Sequence, residues 1–276
     1  MSDTPELISG FEPGEGRAIL VIVPHADDAA LQCGGTMALW SAAGWRVVLL
    51  RVTDDATDSA GLDRATTIER NRRELEDAAA IMGVADLIDL GYETDTLGDA
   101  SERALRERFI RAIRTQRPYG LVTFDPFSGP GENNQDHLRV AQAADEAFWT
   151  AMFDKHHPEH LVDGVTPHGV YERWYVARRL VQVDAAVDIS AVVDVKLAAV
   201  AAHRTMMHNM VAQVRLQAIT GAVRSSITEV IAGDDPTPFA ERLVRSRAAR
   251  AGARHGVAFA EEFRRVRFSD LNAVFP

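Results

Sequence analysis

Cysteine is nearly absent from this 276-residue chain, and Cys33 stands alone. That scarcity excludes an intramolecular disulfide framework and any zinc site built from several thiolates. A metal, if bound, has to be held by histidines and carboxylates. Positive charge is also in deficit, with 30 Lys and Arg against 40 Asp and Glu and a formal net charge of −10. A phosphate backbone would have to be gripped by a local patch against the overall field, so no nucleic-acid partner is expected. No 18-residue stretch is free enough of charged and polar residues to cross a membrane. The first twenty residues carry Asp3, Glu6, Glu12 and Glu15 and lack the basic and apolar segments of a signal peptide. A cytoplasmic protein without a membrane partner is the expectation, with homo-oligomerisation left open.

What is present is an ordinary globular composition, 46% hydrophobic and 25% charged, with no internal repeat and no low-complexity tract. One domain over residues 1–276 is expected. Apolar, partly β-branched runs at Ala18 to Val23, Arg46 to Val52, Asp86 to Leu90 and Leu121 to Phe124 read as strands. Helical segments separate them, at Ala29 to Ala43, about Arg64 to Met82, the stripe around Leu105, Phe109, Ala112 and Ile113, and His137 to Phe153. Four such repeats predict an α/β fold whose mostly parallel sheet carries helices on both faces, with ligands at the strand carboxyl ends.

Later in the chain, His156 to Gly169 is rich in His, Pro and Gly, which makes residues 154–170 a candidate lid loop. Tyr171 to Leu180 and Gln182 to Ile189 read as strands, Arg178 and Arg179 suggesting a half-exposed edge. Ala191 to Met210 reads as one helix, and the remainder after Pro238 as helical and Arg-rich up to a short end near Phe268.

His25-Ala26-Asp27-Asp28 follows the first buried strand directly. Two readings stand: a turn whose aspartates cap the next helix, or two metal ligands with a free carboxylate beside them. Asp136-His137 follows the fourth strand in the same way. With strands ordered 3-2-1-4, His137 converges on His25 and Asp28, a set of two histidines and one aspartate that suits a catalytic zinc with an open position. The cluster Asp54, Asp55 and Asp58 also lies at a strand exit, where a solvated acidic loop is the favoured reading. His156, His157 and His160 are the densest histidine group, but Pro158 interrupts the spacing and no HExxH pattern is formed.

The stretch from Ala18 through His25-Ala26-Asp27-Asp28 to Cys33-Gly34-Gly35-Thr36 resembles the opening of the PIG-L or LmbE-like zinc-dependent N-deacetylases. The resemblance continues in order through Glu74-Leu75 with Gly83-Val84, Leu90-Gly91 before Asp95, and Asp125-Pro126 before Asp136-His137. It closes with Lys196 to His203 and Ala260-Glu261-Glu262-Phe263. It implies a Rossmann-like three-layer sandwich that binds Zn2+, Fe2+ or another divalent ion. The implied activity is hydrolysis of the N-acetyl group of a small amino-sugar conjugate resembling N-acetylglucosamine.

Carried over residue by residue, His25, Asp28 and His137 become metal ligands, Asp27 the general base, and Asp136 a residue that orients its neighbours. Asp95 and an arginine of the second helix, with Arg70 as the candidate, would meet sugar hydroxyls. Four positions depart from the pattern: Ala26 and Ala29 replace its proline and glutamate, Asn71 its arginine, and Asn134 its second histidine. An asparagine can donate to an oxyanion but cannot deliver a proton. These departures keep two rival readings alive, a hydrolase of another amide or ester and a degenerate sugar-binding protein. His203 is expected to be a satisfied packing histidine, Cys33 a buried filler, and Met206, Met207 and Met210 core residues.

Overall fold

The computed structural model describes residues 4–128, 131–223 and 226–268. The elements run β1 (Glu6–Ile8), β2 (Ala18–Val23), α1 (Asp28–Ala42), β3 (Arg46–Thr53), α2 (Arg64–Ile81), β4 (Asp86–Tyr92), α3 (Glu102–Gln116), β5 (Gly120–Phe124) and α4 (Gln135–Thr150). The second half follows with α5 (Glu159–Val162), β6 (Glu172–Val176), β7 (Ala185–Asp188), α6 (Val193–Ala202), α7 (Arg204–Thr220), α8 (Ser226–Val230), α9 (Thr237–His255) and β8 (Ala260–Arg267). They form one eight-stranded sheet in the order β1-β7-β8-β6-β5-β2-β3-β4, parallel except for β8, with helices on both faces. The segment β4-β3-β2-β5 is the 3-2-1-4 order expected of the first four βα repeats.

The apolar runs form strands because both faces of the sheet are covered, which leaves no polar face to alternate with. In β2, Ile19, Val21 and Val23 enter one core while Leu20 and Ile22 enter the other. The first core lies under α1, α2, α6, α7 and α9, and the second under α3 and α4. At the centre of the first, Trp174 meets Trp40 and Phe263 edge to face at 5.4 and 5.3 Å between ring centroids, a geometry that adds about 1 kcal/mol per pair beyond area burial. Among the described residues no helix is long and apolar enough to cross a membrane.

Several sequence expectations are corrected. The stretch Ala191 to Met210 is two helices, α6 and α7, which meet at His203 (φ −76°, ψ 59°). The chain after Pro238 is not helical to its end, since Ala260–Arg267 is a strand. Its insertion between β6 and β7 makes β6 an interior strand, and Arg178 and Arg179 lie beyond it in a loop. Short β1, with little hydrophobic signal, was not anticipated.

Residues 154–170 lie at the amino end of the sheet. Arg114, in the last turn of α3, donates to the carbonyls of Ala151, Phe153, His156 and His157, and His168 bonds to the carbonyl of Pro118 just before β5. A lid would have to close over the opposite edge.

The motif Cys33-Gly34-Gly35-Thr36 is explained by packing. Helix α1 kinks at Cys33, and the N–H groups of Gly35 and Thr36 that the kink frees are bonded by the carboxylate of Glu261 at 3.0 and 2.8 Å. Glu261 is paired in turn with buried Lys196, whose ammonium also donates to the carbonyl of Leu31. A Cβ at Gly35 would stand 2.8 Å from the side chain of Ile189, so only glycine lets α1 approach the end of β7 this closely. Glu74 binds the N–H and hydroxyl of Thr205 and thereby secures the start of α7.

Candidate metal centre and active site

The parallel sheet opens two adjacent strand ends, after β2 and after β5, and the chemistry converges there. His25, Asp28 and His137 each offer a ligand atom within 4.8 Å of the others, and all three are buried. His25 Nδ1 faces His137 Nε2 at 3.2 Å, with Asp28 3.3 Å from the former and 3.6 Å from the latter.

The far nitrogen of each ring is anchored to a carboxylate, His25 Nε2 to Asp136 at 3.3 Å and His137 Nδ1 to Glu132 at 2.9 Å. A ring that donates its N–H outward presents a lone pair inward. Two inward ring nitrogens and a carboxylate that face one another attract positive charge, and a divalent cation in place of a shared proton satisfies all three. The residues present therefore fit a metal ion.

The electrostatics agree. Burial lowers the pKa of the His25 ring, yet hydrogen bonds to Asp136 and Asp28 raise it well above the ordinary histidine value. Burial pushes Asp28 up, but the His137 and His25 rings hold it below the usual carboxylate range.

Asp27 does not do what a capping aspartate would do. It occupies the N-cap position of α1 without a side-chain cap bond. Burial, then repulsion from Asp28, holds its carboxyl well above the usual range. Asp136 is fully buried and accepts from the backbone N–H groups of Asp95 and Leu97 as well as facing His25. The Asp95 side of this loop is thereby tied to the site, and Asp95 itself is exposed, with φ of 65°.

Asn134 is the N-cap of α4, its Oδ1 accepting from the N–H of Asp136 at 2.8 Å. The cap consumes its carbonyl and leaves the amide NH2 as the donating end. Arg70 is not brought to this cluster. It is exposed on α2, beside a small cavity shared with Arg204 and His208 of α7. Asn71 is the α2 residue that turns inward, donating to the carbonyls of Asp55 and Asp58.

Three further features were not foreseen. Asp54, Asp55 and Asp58 are not a solvated loop: Asp55 is fully buried, pairs with buried Arg51 at 2.8 Å and accepts from the N–H of Ala26. Burial moves its pKa up to about 7 even against the pull of His25 and Arg51. Glu132, which orients His137, was missed because it stands five residues before its partner in a loop without periodicity. His203 is buried but not satisfied, since no described group bonds either ring nitrogen. Burial lowers its pKa to about 4.

The fold and site together define an α/β protein with a His/Asp/His metal-binding site at the carboxyl edge of its sheet. Residues 20–148 match the model of the PIG-L family, described as GlcNAc-PI de-N-acetylase, and the curated relatives that the chain resembles are named deacetylases. The family is metal-dependent.

The diacetylchitobiose deacetylase of Thermococcus kodakarensis is 29% identical over 192 residues, which cover 68% of this chain and 70% of that one. A 1D-myo-inositol 2-acetamido-2-deoxy-alpha-D-glucopyranoside deacetylase of Streptomyces scabiei is 32% identical over 188 residues, 54% of this chain and 56% of that one. The solved N,N'-diacetylchitobiose deacetylase of Pyrococcus horikoshii shares the fold with a TM-score of 0.74 at 24% identity, covering 93% of this chain and 89% of that one.

Proposed function

We propose that the protein hydrolyses the N-acetyl group of a small amino-sugar conjugate resembling N-acetylglucosamine, releasing acetate and a free amine. The observation that carries this reading is the Asp27 carboxylate, uncommitted to a helix cap and adjacent in sequence to the Asp28 of the metal-binding set. His25, Asp28 and His137 would hold Zn2+, or Fe2+ or another divalent ion, which when bound polarises a carbonyl and makes water acidic near neutral pH.

The remaining work falls to the chain. Asp27 accepts a proton from water as its oxygen forms a bond to the acetyl carbon. When the carbon–nitrogen bond breaks, Asp27 returns that proton to the leaving amine. Its high proton affinity, set by burial and by Asp28, suits a group that must take and then give up a proton. Asn134 donates its amide NH2 to the developing oxyanion, oriented by its cap to Asp136. Asp136 and Glu132 hold the two histidine rings in register. Asp95 lies on the loop bonded to Asp136 and is available to sugar hydroxyls.

Asn134 also favours a second reading. Where the pattern has a histidine, this chain has a group that cannot deliver a proton, so an ester or a more reactive amide is the alternative substrate. Metal analysis with acetate release from a panel of N-acetylglucosaminides tests the first reading against the second. Acetate formed with zinc or ferrous iron supports deacetylation. No acetate from any member of the panel, with hydrolysis of simple acetate esters instead, replaces it by the second.

A further inference from the structure

A cavity of about 900 Å3 opens beyond the carboxyl end of β6, along the connection that leads to β7, with α9 as its far wall. This size is ordinary for a small-molecule site. Its lining is unusual for a chain of net charge −10. Arg178, Arg179, Arg247 and Arg250 all face it.

Two other cations there are neutralised, Lys196 by Glu261 and Arg254 by Glu262. Among the described residues, Arg179, Arg247 and Arg250 enter no ion pair, and all three are solvent-accessible. The guanidinium of Arg247 is shifted below its usual range by desolvation and by repulsion from Arg178 and Arg250, which places Arg178, Arg247 and Arg250 in one field. Guanidinium forks are matched in shape and charge to carboxylate and phosphate oxygens.

One contact links the wall of the cavity to the site. Arg178 Nε lies 3.6 Å from Glu132, and the same Glu132 oxygen lies 2.9 Å from His137 Nδ1. Strand β6 adjoins β5, so the two openings are neighbours along one edge. A ligand extending from the metal site along this edge would bring its far end among the arginines.

We infer that this cavity receives a carboxylate or phosphate on the non-acetylated part of the substrate, which makes the substrate an acidic amino-sugar conjugate. The inference rests on the deacetylase reading for the position of the acetyl group, and on the arginines alone for the acidic one.

The test compares three probes: the methyl and carboxymethyl N-acetylglucosaminides, and N-acetylglucosamine 1-phosphate. Binding is measured by titration calorimetry of the metal-loaded protein in an Asp27→Asn background, and acetate release is measured separately with the wild type. The expected result is that one or both anionic probes bind about 10- to 100-fold more tightly than the methyl glycoside, as one or two charge-assisted contacts provide. This preference should weaken with added salt and vanish in Arg247→Gln/Arg250→Gln, with affinity for the methyl glycoside unchanged. Arg179→Gln serves as a second variant, and circular dichroism confirms that each variant is folded.

The carboxymethyl and phosphate arms distinguish the two anions. Equal affinity for all three probes overturns the inference, as does a preference that survives both variants. Acetate release from the methyl glycoside in that case leaves the deacetylase reading standing. An arginine-dependent preference with no acetate from any probe does the reverse: it keeps the anion cavity and removes the deacetylase.

Discussion

Two clusters in this protein have almost the same composition and opposite accounts. His25, Asp28 and His137 lie at the carboxyl edge of the sheet, and His157, Glu159 and His160 near its amino edge; each set brings three potential ligand atoms within 4.8 Å. The difference is where the ring nitrogens are spent. At the first cluster the outer nitrogens are fixed by Asp136 and Glu132 and the inner ones face each other.

At the second, His160 is held from both sides, by Glu107 at 2.7 Å and Arg114 at 3.1 Å, and His157 Nδ1 is taken by Glu159. A permanent guanidinium inside the cluster already supplies the positive charge. Residue identity and proximity do not make a metal site. Unshared lone pairs, oriented by outer carboxylates, do.

The most severe way to break this comparison is to remove one histidine from each cluster. His137→Ala is expected to abolish stoichiometric zinc binding, read by metal analysis after dialysis, whereas His157→Ala leaves it unchanged. Metal retained by the first variant or lost by the second would erase the distinction. Next in size is Asp27→Asn, expected to lower kcat by about 10²- to 10⁴-fold, the usual range for a general acid–base group, with metal content intact. Glu159→Gln at the other cluster should leave kcat as it is.

His203 supplies a third histidine environment, in which neither ring nitrogen has a hydrogen-bond partner among the described residues. Its folded-state pKa of about 4 lies below the ordinary 6.5, so the ring gains its proton only on unfolding within that window. The stability it contributes is complete above pH 6.5 and is lost as pH falls toward 4, by about 3 kcal/mol. Chemical denaturation across this range should show that loss in the wild type relative to His203→Leu.

Arg114→Met should cost about 2 to 3 kcal/mol of stability without altering kcat/KM, because it unties the carbonyls of the 151–157 segment far from the site. A matching fall in kcat/KM would mean that the amino-edge cluster does reach the chemistry. The smallest effect is Glu132→Gln, expected to weaken metal affinity about 10- to 100-fold by loosening the His137 ring. A competition titration with a chelator measures it.

Much of the arrangement was legible because short, local patterns carried it. The apolar runs named β2, β3 and β5, and their alternation with helices defined the layers. The ordered motifs singled out His25, Asp27, Asp28 and His137. Other features were hidden because their partners are distant in sequence. Glu261 reads as a residue of a helical tail, yet it bonds the kink of α1 across 225 and 226 positions. Asp55 reads as part of an acidic loop, yet Arg51 and the Ala26 N–H bury it. Asn71 and Arg70 are neighbours on α2, and only the helix's rotation against the sheet decides which one turns inward.

The sequence by itself determined the αβ layering and the single-cysteine constraint on metal ligands, since these depend on local spacing and composition, and its resemblance to a known family singled out His25, Asp28 and His137. The tertiary structure alone decided which histidines keep an inward lone pair, which carboxylates orient them, and that the arginines after β6 and on α9 share one cavity. Those outcomes depend on how strands 100 or more residues apart are ordered in the sheet, and on which buried polar groups are left to satisfy one another once they are there.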